Sequence, residues 1–108
     1  MEERVSDYIT YITVEKGLSL NTISAYRTDL QKFQSFIKKE RIDLRDINSD
    51  EIQNFITFLY RKNLDARSIS RIIVTIRNFF RWLILIGDLG VNPCEFIRSP
   101  KVWKKIPE

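Results

Sequence analysis

The sequence contains no histidine and a single cysteine, Cys94. Imidazole-based acid–base catalysis is therefore excluded within these residues. One thiol without an imidazole is also too little for a zinc site. No internal disulfide is possible, so the chain reads as a reduced, cytoplasmic protein. There are only three glycines and three prolines. Neither a phosphate-cradling glycine loop nor a collagen-like or low-complexity chain fits that composition. The longest unbroken apolar run, residues 82–86, is far short of the roughly 20 residues that a membrane-spanning helix needs. The opening Met1-Glu2-Glu3-Arg4 is acidic and does not read as a signal peptide.

What is present describes a folded domain. The chain has 108 residues, 44% of them apolar and 30% charged. That is one domain with a real hydrophobic core. The missing catalytic types make it a binding module rather than a self-sufficient enzyme, with no cofactor expected.

The charge is unevenly spread. The net charge is +4 overall, but residues 1–50 carry eight basic and nine acidic side chains, and residues 51–108 carry ten basic and five acidic ones. Within residues 61–81 stand Arg61, Lys62, Arg67, Arg71, Arg77 and Arg81, with Asp65 as the sole acid. Arg98, Lys101, Lys104 and Lys105 follow in the tail. A solvated helix face usually mixes both signs, whereas a one-signed face is the electrostatic footprint of a polyanion partner.

All apolar spacing is helical. Val5, Tyr8, Ile9 and Ile12 predict a first helix over residues 3–16, with Gly17 just beyond its end. Ser19 is a good N-cap for a second helix reaching about Lys39, whose apolar stripe is Ile23, Tyr26, Leu30, Phe33 and Ile37. Residues 40–48 read as a crossing loop. Asn48 or Ser49 caps a third helix, with Asp50 and Glu51 at its positive end and Ile52, Phe55, Ile56 and Leu59 along its buried stripe. Asn63 ends it. The fourth helix begins near Ala66. At about 100° per residue, Ile69, Ile72, Ile73, Ile76, Phe79, Phe80 and Leu83 share one arc, and Arg67, Ser70, Arg71, Arg77, Asn78 and Arg81 share the opposite one. Gly87, Gly90 and Asn92-Pro93 mark its stop, and a short helix is predicted over residues 94–98. The predicted fold is all-α: four helices as two antiparallel hairpins around one core, rich in Phe33, Phe36, Phe55, Phe58, Phe79 and Phe80. Residues 1–98 form the domain and residues 99–108 a basic linker.

The polar faces carry the candidate chemistry. Arginine forks onto phosphate or onto the major-groove edge of guanine. Four arginines over fourteen residues of helix span about 21 Å, a length suited to a groove and its flanking phosphates. The competing reading for Arg77 or Arg81 is a stem packed on a neighbouring helix with its head paired to an acid. Ser19, Asn21, Thr22 and Ser24 crowd the start of the second helix, where unsatisfied N–H groups attract phosphate, and Arg27 follows. For Ser19, plain capping explains the residue equally well. Trp103 among Lys101, Lys104 and Lys105 could hold a backbone or stack a base, or could belong to a plain linker. Tyr8 and Tyr26 lie on apolar stripes and read as core residues rather than nucleophiles.

These residues also resemble a known family. Glu15-Lys16-Gly17-Leu18-Ser19, Asn21-Thr22, Ala25-Tyr26 and Asp29-Leu30 are similar to the opening of Xer-type tyrosine recombinases and phage integrases. So is Ser68-Ile69 leading to Ile76-Arg77-Asn78-Phe79-Phe80-Arg81-Trp82-Leu83. Asn92-Pro93, Ser99-Pro100-Lys101 and Ile106-Pro107 resemble the end of the same domain and its hinge. The likeness runs from about Val5 to Pro107. It implies a SAM-like core-binding domain, one half of a clamp on double-stranded DNA at a recombination half-site. It also implies DNA contacts by Thr22, Arg27, Arg67, Arg71 and Arg77, with Ser24, Thr28 and Ser70 as further candidates and Lys101 near the hinge. The family's catalytic arginines, lysine, histidine motif and nucleophilic tyrosine sit in a second domain. The resemblance thus implies a fragment of a DNA strand transferase that works through a 3′-phosphotyrosyl link without metal or nucleotide. The full-length protein would join other recombinase protomers in a tetramer, and the isolated domain would be monomeric.

Such domains serve chromosome dimer resolution, phage integration and transposon movement alike. Two other readings stand beside the recombinase. In one, the turn within residues 62–70 makes a helix-turn-helix regulator whose fourth helix reads DNA. In the other, four helices form a protein-interaction domain, because fold alone does not decide function.

Overall fold

The computed structural model describes residues 2–95 and 97. Four α-helices, α1 (Glu2–Val14), α2 (Leu20–Glu40), α3 (Ser49–Arg61) and α4 (Ala66–Leu85), are joined by turns and by one 3-10 turn at Leu44–Asp46. No strand occurs among the described residues, so the all-α expectation holds. The chain divides into two compact units, Met1–Asp46 and Ile47–Glu108.

In the first unit, α1 and α2 pack against each other. Glu2 and Glu3 lie in the first turn of α1, where carboxylates complement the positive end of the helix dipole. Val5, Tyr8, Ile9 and Ile12 are buried along one stripe. The helix stops at Val14, short of the predicted residue 16. The Glu15 N–H still donates to the Tyr11 carbonyl at 2.8 Å, so the last turn frays rather than breaks. Gly17 then takes a φ of +60°, which a residue with a Cβ adopts only at a cost. Ile23, Asp29, Leu30, Phe33, Phe36 and Ile37 are buried on α2. This helix closes on Arg41, itself left-handed at φ 58°. The Arg41 N–H donates to the Lys38 carbonyl at 3.2 Å and the Ile42 N–H to the Ile37 carbonyl at 3.1 Å. These bonds satisfy carbonyls that the helix end leaves open.

In the second unit, Asn48 caps α3 reciprocally with Glu51, and Ile52, Phe55, Ile56 and Leu59 are buried. The chain turns through Asn63, left-handed at φ 66°. The Asp65 carboxylate then caps α4 by accepting the Ser68 N–H at 2.8 Å. Burial on α4 is wider than its apolar stripe. Ala66, Thr75 and Trp82 are buried alongside the predicted isoleucines and phenylalanines, so the covered arc is about 200° at helical periodicity.

Of the short helix predicted over residues 94–98, residues 94, 95 and 97 are not helical, and residues 96 and 98 lie outside the described ones. Residues 93–95 are turn. The Glu95 N–H donates to the Asn92 carbonyl at 3.1 Å, and the Ile97 N–H to the Cys94 carbonyl at 3.2 Å. Asn92 takes the Cys94 N–H onto its side-chain oxygen at 2.8 Å, as a helix cap does, but the bonds that follow join residues three apart and close single turns. The predicted linker, residues 99–108, lies outside the described residues. No described helix is long and apolar enough to cross a membrane.

Candidate nucleic-acid interface

The exposed side of α4 carries four arginines and no carboxylate. Arg67, Arg71 and Arg81 are exposed, and Ser70 and Asn78 are half-buried beside them. Arg81 Nη1 donates to Asn78 Oδ1 at 3.3 Å, which holds the two side chains together on the ridge. Val74, 42% exposed, sits in the middle of the ridge. Sequence reading passed over Val74 because an apolar residue on an amphipathic helix is ordinarily assigned to the core.

Arg77 is placed differently. About 80° of helix separates it from Arg67, which sets it on the flank of the ridge, and it is half-buried. Its Nε donates to the Cys94 carbonyl at 3.3 Å and its Nη2 to the Ile97 carbonyl at 2.6 Å. In return, Asn92 Nδ2 donates to the Arg77 carbonyl at 3.2 Å. Its head thus rests on backbone carbonyls, not on the acid that the competing reading supposed. Cys94 is fully buried under this arrangement. Burial pushes its thiol up to about 12, against a smaller opposing pull from the Arg77 guanidinium. The thiol is protonated and unreactive at neutral pH.

The α2 candidates do not form one cluster. Ser24 and Thr28 are exposed and adjacent, with Thr28 Oγ1 donating to the Ser24 carbonyl at 3.0 Å. That bond uses the one hydroxyl proton of Thr28 and leaves only an acceptor for a partner. Arg27 is exposed and lines an open groove of about 320 Å³ with Ser6 and Thr10 of α1 and Gln31 of α2. Thr22 lies about 140° around the helix from Arg27, half-buried at the first turn. Ser19 accepts the Thr22 N–H at 3.2 Å and donates its own proton to Thr22 Oγ1 at 3.0 Å, so Ser19 does cap α2. The Thr22 hydroxyl proton remains for an outside acceptor at the positive end of the helix. Lys101, like Trp103, Lys104 and Lys105, lies outside the described residues.

Tyr8 lies in the core, as its place on the apolar stripe predicts. Burial, reinforced by Tyr26 and Tyr11, pushes its hydroxyl up to about 12. Tyr26 is half-buried rather than a full core residue.

Residues 5–87 match the model of the family described as phage integrase, N-terminal SAM-like domain. The chain belongs to that family. It is 38% identical over its whole length to a tyrosine recombinase XerD of Staphylococcus haemolyticus, covering 37% of that protein. It is 34% identical over 98% of its length to a XerD of Rickettsia bellii, covering 35% of it. It is also 35% identical over its whole length to a tyrosine recombinase XerC of Herpetosiphon aurantiacus, covering 36% of it. The chain therefore spans little more than a third of the length of these curated relatives. No solved structure matches it significantly.

Proposed function

We propose that this chain is the DNA-binding part of a tyrosine recombinase and holds one side of a recombination half-site. The observation that carries the reading is the α4 ridge, with Arg67, Arg71 and Arg81 exposed and no acidic side chain on the helix. Family membership supports it. Arg67 and Arg71 supply the main phosphate or guanine contacts. Ser70 and Asn78 add hydrogen bonds, and Val74 offers apolar contact to a thymine methyl. On α2, Thr22 receives a phosphate at the helix N-terminus, and Ser24 and Arg27 follow the backbone from another face, with Thr28 beside them once its hydroxyl leaves the Ser24 carbonyl. Lys101 contributes near the hinge. The strand-transfer chemistry, through a 3′-phosphotyrosyl link, belongs to catalytic residues outside residues 1–108. The tetrameric partners are protomers of the same kind, and no metal or nucleotide is required.

The test is an anisotropy titration against a labelled duplex of roughly 30 base pairs at two salt concentrations. About four to six phosphate contacts give a slope of log K against log salt of about −4 to −5. Charge reversal in Arg67→Glu with Arg71→Glu abolishes binding. A slope near zero, or a double variant that binds like the parent, sinks the reading.

A further inference from the structure

Arg77 has the residue type and the helix of a DNA contact, but its hydrogen bonds run elsewhere. Its Nε and Nη2 each hold a backbone carbonyl of the segment that follows α4, Cys94 at 3.3 Å and Ile97 at 2.6 Å. Asn92 completes the arrangement from the other side. Its Nδ2 donates to the Arg77 carbonyl at 3.2 Å, and its Oδ1 accepts the Cys94 N–H at 2.8 Å. Three hydrogen bonds thus connect Arg77 of α4 with the segment after it, and a fourth lies within the segment. The first three span fifteen to twenty residues of sequence.

The segment has no secondary structure of its own to fix its course, since residues 93–95 are turn. Asn92, Cys94 and Ile97 are nevertheless buried. Two planar N–H donors at fixed spacing suit this task, because one arginine can hold two carbonyls without a matching pair of rotamers. A lysine supplies a point charge and no fork. Moving the guanidinium onto a phosphate would take a donor from the Ile97 carbonyl and leave the Cys94 carbonyl with the Ile97 N–H alone.

We propose that Arg77 is a positioning residue, a latch that fixes the direction in which the chain leaves α4 and stays closed while the neighbouring arginines hold DNA. The proposal rests on the DNA-binding reading only for its second half. Through the latch, the helix that grips DNA also sets the course of Asn92, Cys94 and Ile97 after it. Arg67 and Arg71 set affinity, and Arg77 with Asn92 sets geometry.

Cys94 is a built-in reporter, because its carbonyl and its N–H are both latch bonds and its thiol is buried. The experiment measures the rate of Cys94 alkylation by iodoacetamide in the 108-residue chain, with far-UV circular dichroism confirming that the helices persist. Arg77→Gln and Asn92→Ala are compared with the parent, and the parent is measured with and without saturating duplex. Both variants label roughly tenfold faster or more through local opening, and duplex does not accelerate labelling of the parent. In parallel, Arg77→Gln keeps the salt slope of the parent, whereas Arg71→Gln loses about one unit. Unchanged labelling in the folded variants overturns the latch. Faster labelling of the parent on DNA, or any loss of slope in Arg77→Gln, shows that Arg77 leaves for a phosphate and overturns the positioning role. If Arg77→Gln does not fold, Asn92→Ala and the parent with duplex still decide. Failure of the parent to bind duplex at low salt removes the DNA-binding reading and leaves the Cys94 comparison standing.

Discussion

The Ser19 hydroxyl accepts the backbone N–H of Thr22 and donates its own proton to the Thr22 hydroxyl. One side chain thus caps α2 and orients the polar group that faces outward beside the cap. The two tasks are separable by substitution. Ser19→Ala removes both, and the lost cap costs about 1 kcal/mol of stability. Ser19→Asp keeps a capping oxygen but places a negative charge where a phosphate is proposed to sit. Thermal melting of Ser19→Asp stays close to the parent, while its affinity for duplex DNA falls by roughly tenfold, about 1.4 kcal/mol. Unweakened DNA binding by Ser19→Asp would remove the α2 N-terminus from the interface.

A second cap acts on stability alone. Asn48 Oδ1 accepts the N–H groups of Asp50 at 2.8 Å and Glu51 at 3.2 Å, and Glu51 Oε1 accepts the Asn48 N–H at 3.0 Å. Both directions of the capping box are formed. Asn48→Ala is expected to lower unfolding free energy by about 1–2 kcal/mol, and Glu51→Ala by less. The double variant loses less than the two single losses added, because each bond holds the other in place. Urea denaturation of the three variants measures this directly.

Much of this was legible because it is local. The helical spacing of Val5, Tyr8, Ile9 and Ile12 is a one-element signal, and so are the caps Ser19 and Asn48, which act on N–H groups two or three residues ahead. Asp65 as the cap of α4 carried the same signal and could have been found. The role of Arg77 was not legible. Its partners lie seventeen and twenty residues downstream, and helical periodicity placed it with the other arginines in the polar arc. The turn at residues 93–95 likewise has a distant partner, since Arg77 holds the Cys94 carbonyl from seventeen residues away. On α2, residues adjacent in sequence were grouped as one patch. The helix keeps Ser24, Arg27 and Thr28 within about 100° and sets Thr22 about 120–160° away from them.

The aromatic part of the second unit sets its resistance to unfolding. Phe79 is fully buried, with its ring centroid 5.8 Å from Phe80 and 6.2 Å from Trp82. Phe79→Ala removes a large buried side chain and leaves a cavity, at about 3–5 kcal/mol. Domains of this size have about 5–15 kcal/mol in total, so the variant is expected to be largely unfolded at 37 °C or to melt far below the parent. Phe79→Leu keeps most of the volume and loses roughly half as much. A Phe79→Ala chain that melts within a few degrees of the parent would show that this site collapses around the cavity.

Alkaline pH provides the last test, and its sign follows from two buried groups. The Cys94 thiol is pushed from 9.0 to about 12, and the Tyr8 hydroxyl from 10.0 to about 12. In both cases burial favours the protonated, neutral form in the folded chain. Above about pH 9, the unfolded chain releases protons that the folded chain retains, so stability falls as pH rises. The contribution is complete below pH 9 and is lost progressively towards pH 12. Urea midpoints measured from pH 8 to pH 11 should therefore decline, first through Cys94 and then through Tyr8. Cys94→Ala delays the start of the decline by about one pH unit, because the Tyr8 contribution begins near 10.0 rather than near 9.0. Tyr8→Phe leaves the early part of the decline and weakens the later part. A midpoint that stays level to pH 11 in the parent would mean that neither group is held neutral by the fold.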